Sequence, residues 1–349
     1  MKLLQSSLLL LLVSSSATLA KIKLQQHPVR QELVDEIKKL TNLWVPMEPN
    51  ENVLADLAID QLGMKLGHLD AVSQTGIRLD IGLHQLFDKV KHYTSNIFSS
   101  RQASNKQKLL SEKYQRLKQD LNETIPESFD SRDKWPNCIH GIRDQQLCGS
   151  CWAFASSAFL SDRFCIHSEG QINEDLSPQD LVSCSYENFG CSGGQLTESV
   201  DFLIYEGIVS EKCKPYMNQD TYCKFKCQND KQPYTKYFCE QKSMLILSDI
   251  EEIQLELMTN GPMMVGLSVY EDLMNYKEGV YEYTTGNQVG GHAIKIIGWG
   301  HTEKGELFWK CQNQWGKDWG MGGYINIKAG ELGMDTMVLG CMPDISVAK

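Results

Sequence analysis

No stretch of this chain comes near the roughly 18 continuous apolar residues of a membrane-crossing helix. The run Leu8 to Val13 is far too short, so no membrane anchor is expected. Cysteine is absent before Cys138, and all 12 cysteines lie from there onward. Any disulfide framework therefore belongs to the later part of the chain. Basic residues are scarce in that same part. Of 34 Lys and Arg, 15 fall in residues 21–124, against 13 of the 44 Asp and Glu. With Lys2 set aside, residues 125–349 keep 18 basic and 31 acidic residues, a net charge of −13. That balance, with no basic stretch, argues against a nucleic-acid partner. There is no internal repeat and no Rossmann-type glycine fingerprint.

What is present divides the chain in three. Residues 1–20 read as a secretory signal: Lys2, the apolar run, then Thr18-Leu19-Ala20. In the secretory pathway the cysteines can oxidise, and the expected destination is a lysosome, a digestive vacuole or the exterior. Residues 21–124 carry a net charge of +2 and amphipathic helical patterns at Gln31–Leu43, Leu54–Leu66 and Lys106–Leu121. Alone, that pattern also fits a small helical domain or a solvated linker. Asn122-Glu123-Thr124 is a glycosylation sequon. Residues 125–349 are long enough for a core and two sub-domains. A capping signal at Ser248-Asp249-Ile250-Glu251 opens a helix that stops at Asn260-Gly261-Pro262. Strand patterns follow at Met263–Val269, His292–Trp299, Leu307–Asn313 and Tyr324–Lys328.

The most informative stretch is Gln145-Gln146-Leu147-Cys148-Gly149-Ser150-Cys151-Trp152, which runs into an apolar helical pattern. Cys151 is thus placed at a helix start, where unpaired N–H groups and the dipole favour a thiolate. A C-x-x-C can also be a redox pair or half a zinc site. Here two further motifs favour a nucleophile. Gly290-Gly291-His292 supplies a base 141 residues on, and Cys311-Gln312-Asn313-Gln314-Trp315-Gly316 supplies a group to orient it.

With Cys148-Gly149-Ser150-Cys151-Trp152 and these two motifs in order, the chain resembles the papain family of cysteine proteases, in its cathepsin B-like branch. The resemblance implies an α+β, papain-like fold of two sub-domains, a helical half and an antiparallel, barrel-like β half, behind a mainly helical propeptide. His27 to Asp35, with Trp44, resembles the short cathepsin B propeptide that blocks the cleft; residues 68–122 are an insertion without a counterpart. Ile125-Pro126-Glu127-Ser128-Phe129 resembles a mature start, so the peptidase spans 125–349. By resemblance Cys151, His292 and Asn313 are catalytic and Gln145 serves the oxyanion. Gly193 and Gly194 would pair with substrate backbone, Trp315 would shield the His–Asn bond beside the substrate, and Met337 would line the second subsite. The implied disulfides are Cys138–Cys165, Cys148–Cys191, Cys184–Cys223 and Cys213–Cys227. Cys239, Cys311 and Cys341 remain, as buried thiols or with a pair among them. No metal or organic cofactor is required. Polypeptide substrates, the chain's own propeptide and cystatin-like inhibitors are the implied partners.

Three departures from the family stand out. Gln146 replaces a usual Gly, and Gln314 a usual Ser. If that Gly has positive φ, Gln146 is strained. The long occluding loop, with its paired histidines, is reduced to Lys214–Tyr222, which contains no His. An endopeptidase with an apolar second subsite is expected. A weakened homologue that only binds peptides, or retained dipeptidyl carboxypeptidase activity, is the alternative.

Overall fold

The computed structural model describes residues 26–67 and 125–348. The signal at 1–20, the insertion at 68–122 with its helix at Lys106–Leu121, and the Asn122 sequon lie outside the described residues.

Helix α1 (Gln31–Leu40) buries Leu33, Val34 and Ile37 on one face, with Glu32 in its first turn and Lys38 and Lys39 in its last. Those charges suit the helix dipole. It ends three residues before the expected Leu43, because the chain turns extended at Thr41 to form strand β1 (Trp44–Pro46). The helix expected over Leu54–Leu66 shrinks to α2 (Ile59–Met64). Asn52 explains the delay: its Oδ1 accepts from the Leu54 N–H at 2.9 Å, and such local bonds compete with helix.

Strand β2 (Phe129–Asp130) and α3 (Ser131–Lys134) lead to α4 (Cys151–His167). Helix α4 is buried along most of its length, and its hydroxyls bond back to their own turns, Ser156 to the Trp152 carbonyl and Ser161 to that of Ser157. Around it pack α5 (Pro178–Cys184), with Ser177 as its cap and Pro178 in its first turn, and α6 (Leu196–Tyr205). Strand β3 (Leu245–Leu247) precedes α7 (Ile250–Asn260), where Asp249 caps the Glu252 N–H and Gly261 ends the helix at φ 94.

Strands β4 (Met263–Tyr270), β5 (Tyr276–Tyr281), β6 (Gln288–His301), β7 (Leu307–Gln312), β8 (Tyr324–Lys328) and β9 (Val338–Gly340) complete the β half. The order is β1-β5-β8-β7-β6-β4-β9-β3, with β2 also on β6. The β half is not purely antiparallel as expected: β5 and β8 run parallel. One core fills the β half and takes in α1, β1 and α2; a second surrounds α4, α5 and α6. The halves meet where β6 lies against α4, and there buried Lys295 of β6 is ion-paired with buried Asp162 of α4.

All four expected disulfides are present. A fifth joins Cys239 to Cys341, while Cys311 stays a buried thiol. Cys148 is committed to Cys191, so Cys148 and Cys151 do not form the redox pair that their spacing also allowed.

Candidate active site

The interface between the halves brings the distant motifs together. Cys151 begins α4 and has no solvent exposure. His292 is carried by β6, opposite Leu267 of β4, and the N–H of the next residue, Ala293, bonds the Cys151 sulfur. Asn313 follows β7, and its Oδ1 lies 2.8 Å from His292 Nε2. The same oxygen accepts from the Gln314 N–H at 2.9 Å. That second bond identifies the atom as the acceptor, so His292 carries its proton on Nε2. The Trp315 ring lies 4.7 Å from the imidazole and edge-on to Trp319. His292, Asn313 and both tryptophans are buried.

Gln145 is fully buried; its Nε2 donates to the Cys148 carbonyl at 2.8 Å and to the Lys65 carbonyl at 3.0 Å. The amide expected to serve an oxyanion therefore already holds a carbonyl from the N-terminal segment. Gly67 completes the crossing. Its N–H bonds the Cys151 sulfur, and its carbonyl accepts from the Gly194 N–H at 2.8 Å. A Cβ at Gly67 would come within 1.9 Å of the Gly149 carbonyl oxygen, so only glycine fits there. Gly193 behaves differently from the expectation: its N–H and carbonyl are used by Gly190 and Phe189 of its own loop.

A lowered Cys151 pKa was expected from its place at a helix start. The covered site does the opposite: burial pushes the thiol up to about 12, outweighing the N–H groups of Ala293, Gly67 and Trp152 that pull it down.

Gln146 does sit at φ 54, the left-handed region. Its peptide is clamped on both sides: Asp144 Oδ1 accepts the Gln146 N–H at 2.7 Å, and the Tyr216 hydroxyl donates to the Gln145 carbonyl at 2.7 Å. Tyr216 also bonds Ser150 Oγ at 2.8 Å. Gln314 Nε2 reaches the Ala293 carbonyl at 2.6 Å. Met337 is half-buried beside the helical-half core, whereas Asp335 is turned away to Trp309 Nε1 at 2.5 Å. Tyr216, Lys65 and Gly67 were not anticipated as site residues; no local pattern marks them.

The short Cys213–Cys223 loop is tied down on the helical half. Lys214 pairs with Asp180 at 2.6 Å, Gln179 bonds Met217 and Gln219, and Asp220 accepts from the Cys191 N–H. Lys236 reaches the same Asp180. Among the described residues no group of His, Cys, Asp and Glu is arranged to hold a metal ion, and no helix is long and apolar enough to cross a membrane.

Residues 125–341 match the profile of the papain family cysteine proteases. Cathepsin B-like cysteine proteinase 6 of Caenorhabditis elegans is 40% identical over 265 residues, 65% of this chain and 69% of that protein. Cathepsin B-like cysteine proteinase of Schistosoma japonicum is 39% identical over 243 residues, 60% of this chain and 70% of its own. Among solved structures, proCathepsin B S9 from Trypanosoma congolense superposes with a TM-score of 0.72 at 27% identity, covering 91% of this chain and 100% of that one. The chain belongs to the papain family of cysteine proteases, in its cathepsin B-like branch.

Proposed function

We propose that the chain is the zymogen of a cysteine endopeptidase. Residues 1–20 direct it to the secretory pathway, residues 21–124 are the propeptide, and 125–349 are the peptidase. The observation that carries this reading is the way Lys65 to Gly67 occupy the cleft, with one carbonyl on Gln145 and one N–H on Cys151.

Once that segment leaves, Cys151 regains water and can exchange its proton with His292 Nδ1. The thiolate attacks a peptide carbonyl carbon, and the resulting oxyanion takes hydrogen bonds from Gln145 Nε2 and the Cys151 N–H. The His292 imidazolium donates its proton to the leaving amine, giving a thioester and a free peptide. His292 then accepts a proton from water, which hydrolyses the thioester and restores the thiol. Asn313 keeps the ring in the required tautomer throughout.

The tethering of the 213–223 loop and of Lys236 to the helical half supports a cleft open at both ends. Met337 near the second subsite, with Asp335 engaged by Trp309, supports an apolar preference there. Full-length protein held at pH 4–5 is expected to process faster than at pH 7, since protonated carboxylates lose their hold on a basic segment, and more slowly with Cys151→Ala. The processed enzyme should react with a vinyl-sulfone probe, and should cut internally quenched peptides with Leu, Val or Phe before the cleaved residue. Strong preference for a substrate ending two residues past the cut would instead mean a dipeptidyl carboxypeptidase.

A further inference from the structure

The segment across the cleft presents one charged side chain to the enzyme, that of Lys65, and it has a partner. Lys65 Nζ lies 3.4 Å from Asp144 Oδ1, with the lysine side chain 7% exposed. Asp144 is bridged by backbone to Trp315, and a Cβ on Gly316 would stand 3.6 Å from Asp144 Oδ2. Gly67, two residues on, is bound by Gly194 on the other side of Cys151. Asp144 therefore flanks the end of the cleft opposite Gly194. Two cations of this region are committed elsewhere: Arg143 pairs with Glu211 at 2.7 Å, and Lys214 of the short loop with Asp180.

We infer that Asp144, freed when the N-terminal segment leaves, selects polypeptides with a Lys or Arg side chain shortly after the scissile bond. This rests on the endopeptidase reading, with substrate backbone paired at Gly194 before the scissile bond, so that the leaving half runs out past the opposite end, at Asp144. Lys65 occupies the position that such a side chain takes. The carboxylate attracts the cation, and the methylene stem is covered there as that of Lys65 is.

Asp144 also holds the strained Gln146 N–H, so its removal could disturb the oxyanion site. Asp144→Asn keeps an oxygen acceptor for that bond and removes only the charge. The test compares matched internally quenched peptides with Lys, norleucine or Glu at each of the first three positions after the cut. For the processed enzyme, kcat/KM should favour Lys about fivefold at one position, an ordinary yield for a partly exposed ion pair. The ratio should fall to near one in Asp144→Asn, invert in favour of Glu in Asp144→Lys, and shrink at high salt. The same pairs are measured for binding to Cys151→Ala enzyme, which needs no turnover. If no peptide is cut, the endopeptidase reading fails while the binding ratio still decides this one. A Lys ratio near one in the processed enzyme, or one that survives Asp144→Asn, overturns the assignment.

Discussion

The N-terminal segment is attached at two places that work by different physics. Its first part, α1 and β1, shares the β-half core: Leu33, Ile37, Trp44 and Leu54 pack with Leu273, Met274, Tyr276 and Tyr281. Strand β1 adds an edge to the sheet by pairing with β5, and the Trp44 ring sits 5.2 Å from that of Tyr281. Arg30 adds an ion pair with the nearly buried Glu271 at 3.2 Å. Its last part, Lys65–Gly67, is held in the cleft by hydrogen bonds of its backbone to Gln145, Cys151 and Gly194, with the Lys65–Asp144 ion pair and Leu66 against the β-half core beside them. Apolar burial supplies most of an association free energy, whereas a hydrogen bond exchanged with water nets only about 1 kcal/mol. Attachment and blockade thus reside in different residues of one segment.

The largest expected effect is on the blocked thiol. With a pKa near 12 in place of 9.0, Cys151 of the unprocessed chain should carry roughly a thousandfold less thiolate at pH 8 than an ordinary cysteine. A raised value means reactivity that keeps climbing with pH above 9, where an ordinary thiol levels off. Iodoacetamide labelling of Cys151 before and after processing measures both; equal rates would break the proposed shielding. Next comes the anchor. Trp44→Ala should cost about 3–5 kcal/mol of docking, raising the dissociation constant of a synthetic 26–67 segment from the processed enzyme by more than about a hundredfold. A change of only a few-fold would move the binding energy to the cleft end.

Gly67→Ala sharpens the contrast. The clash with Gly149 backbone should cost about 1–3 kcal/mol, opening Cys151 to a vinyl-sulfone probe while α1 and β1 stay docked and protected from hydrogen exchange. Loss of that protection would show the two ends to be one cooperative unit. The smallest effect lies on the enzyme's side of the same contact. Gln146→Gly relieves the left-handed backbone at φ 54, a gain of about 0.5–1 kcal/mol after glycine's own entropy cost. Calorimetry on the processed enzyme should find Tm about 1–4 °C higher; a lower Tm would assign the Gln146 side chain a stabilising contact.

Much of the site was legible because its chemistry is written in short motifs. Cys151, His292 and Asn313 stand in short motifs at a telling spacing, whereas Gln145 and the four disulfides were marked from resemblance. Strain at Gln146 is expected only because it replaces a family Gly, and its φ of 54 agrees. Tyr216 was not legible, since its hydroxyl reaches the Gln145 carbonyl only after the Cys213–Cys223 loop folds onto α5.

By itself the sequence determined the kind of chemistry, the helix that presents the thiol, and most strands of the β half. These depend on local patterns: apolar alternation, caps such as Asp249, and stop signals such as Gly261-Pro262. The tertiary structure alone decided what required pairing across long separations. Trp44–Pro46 carries no strand signal of its own; it becomes a strand because β5, more than 200 residues later, leaves an edge to fill. The Cys239–Cys341 bond depends on bringing together sulfurs 102 residues apart. The parallel β5–β8 pair and the turning of Asp335 toward Trp309 likewise depend on the packed β half. The Cys151 thiol illustrates the division most directly: its helix start favours the anion, and the segment folded over it removes the water that the anion needs.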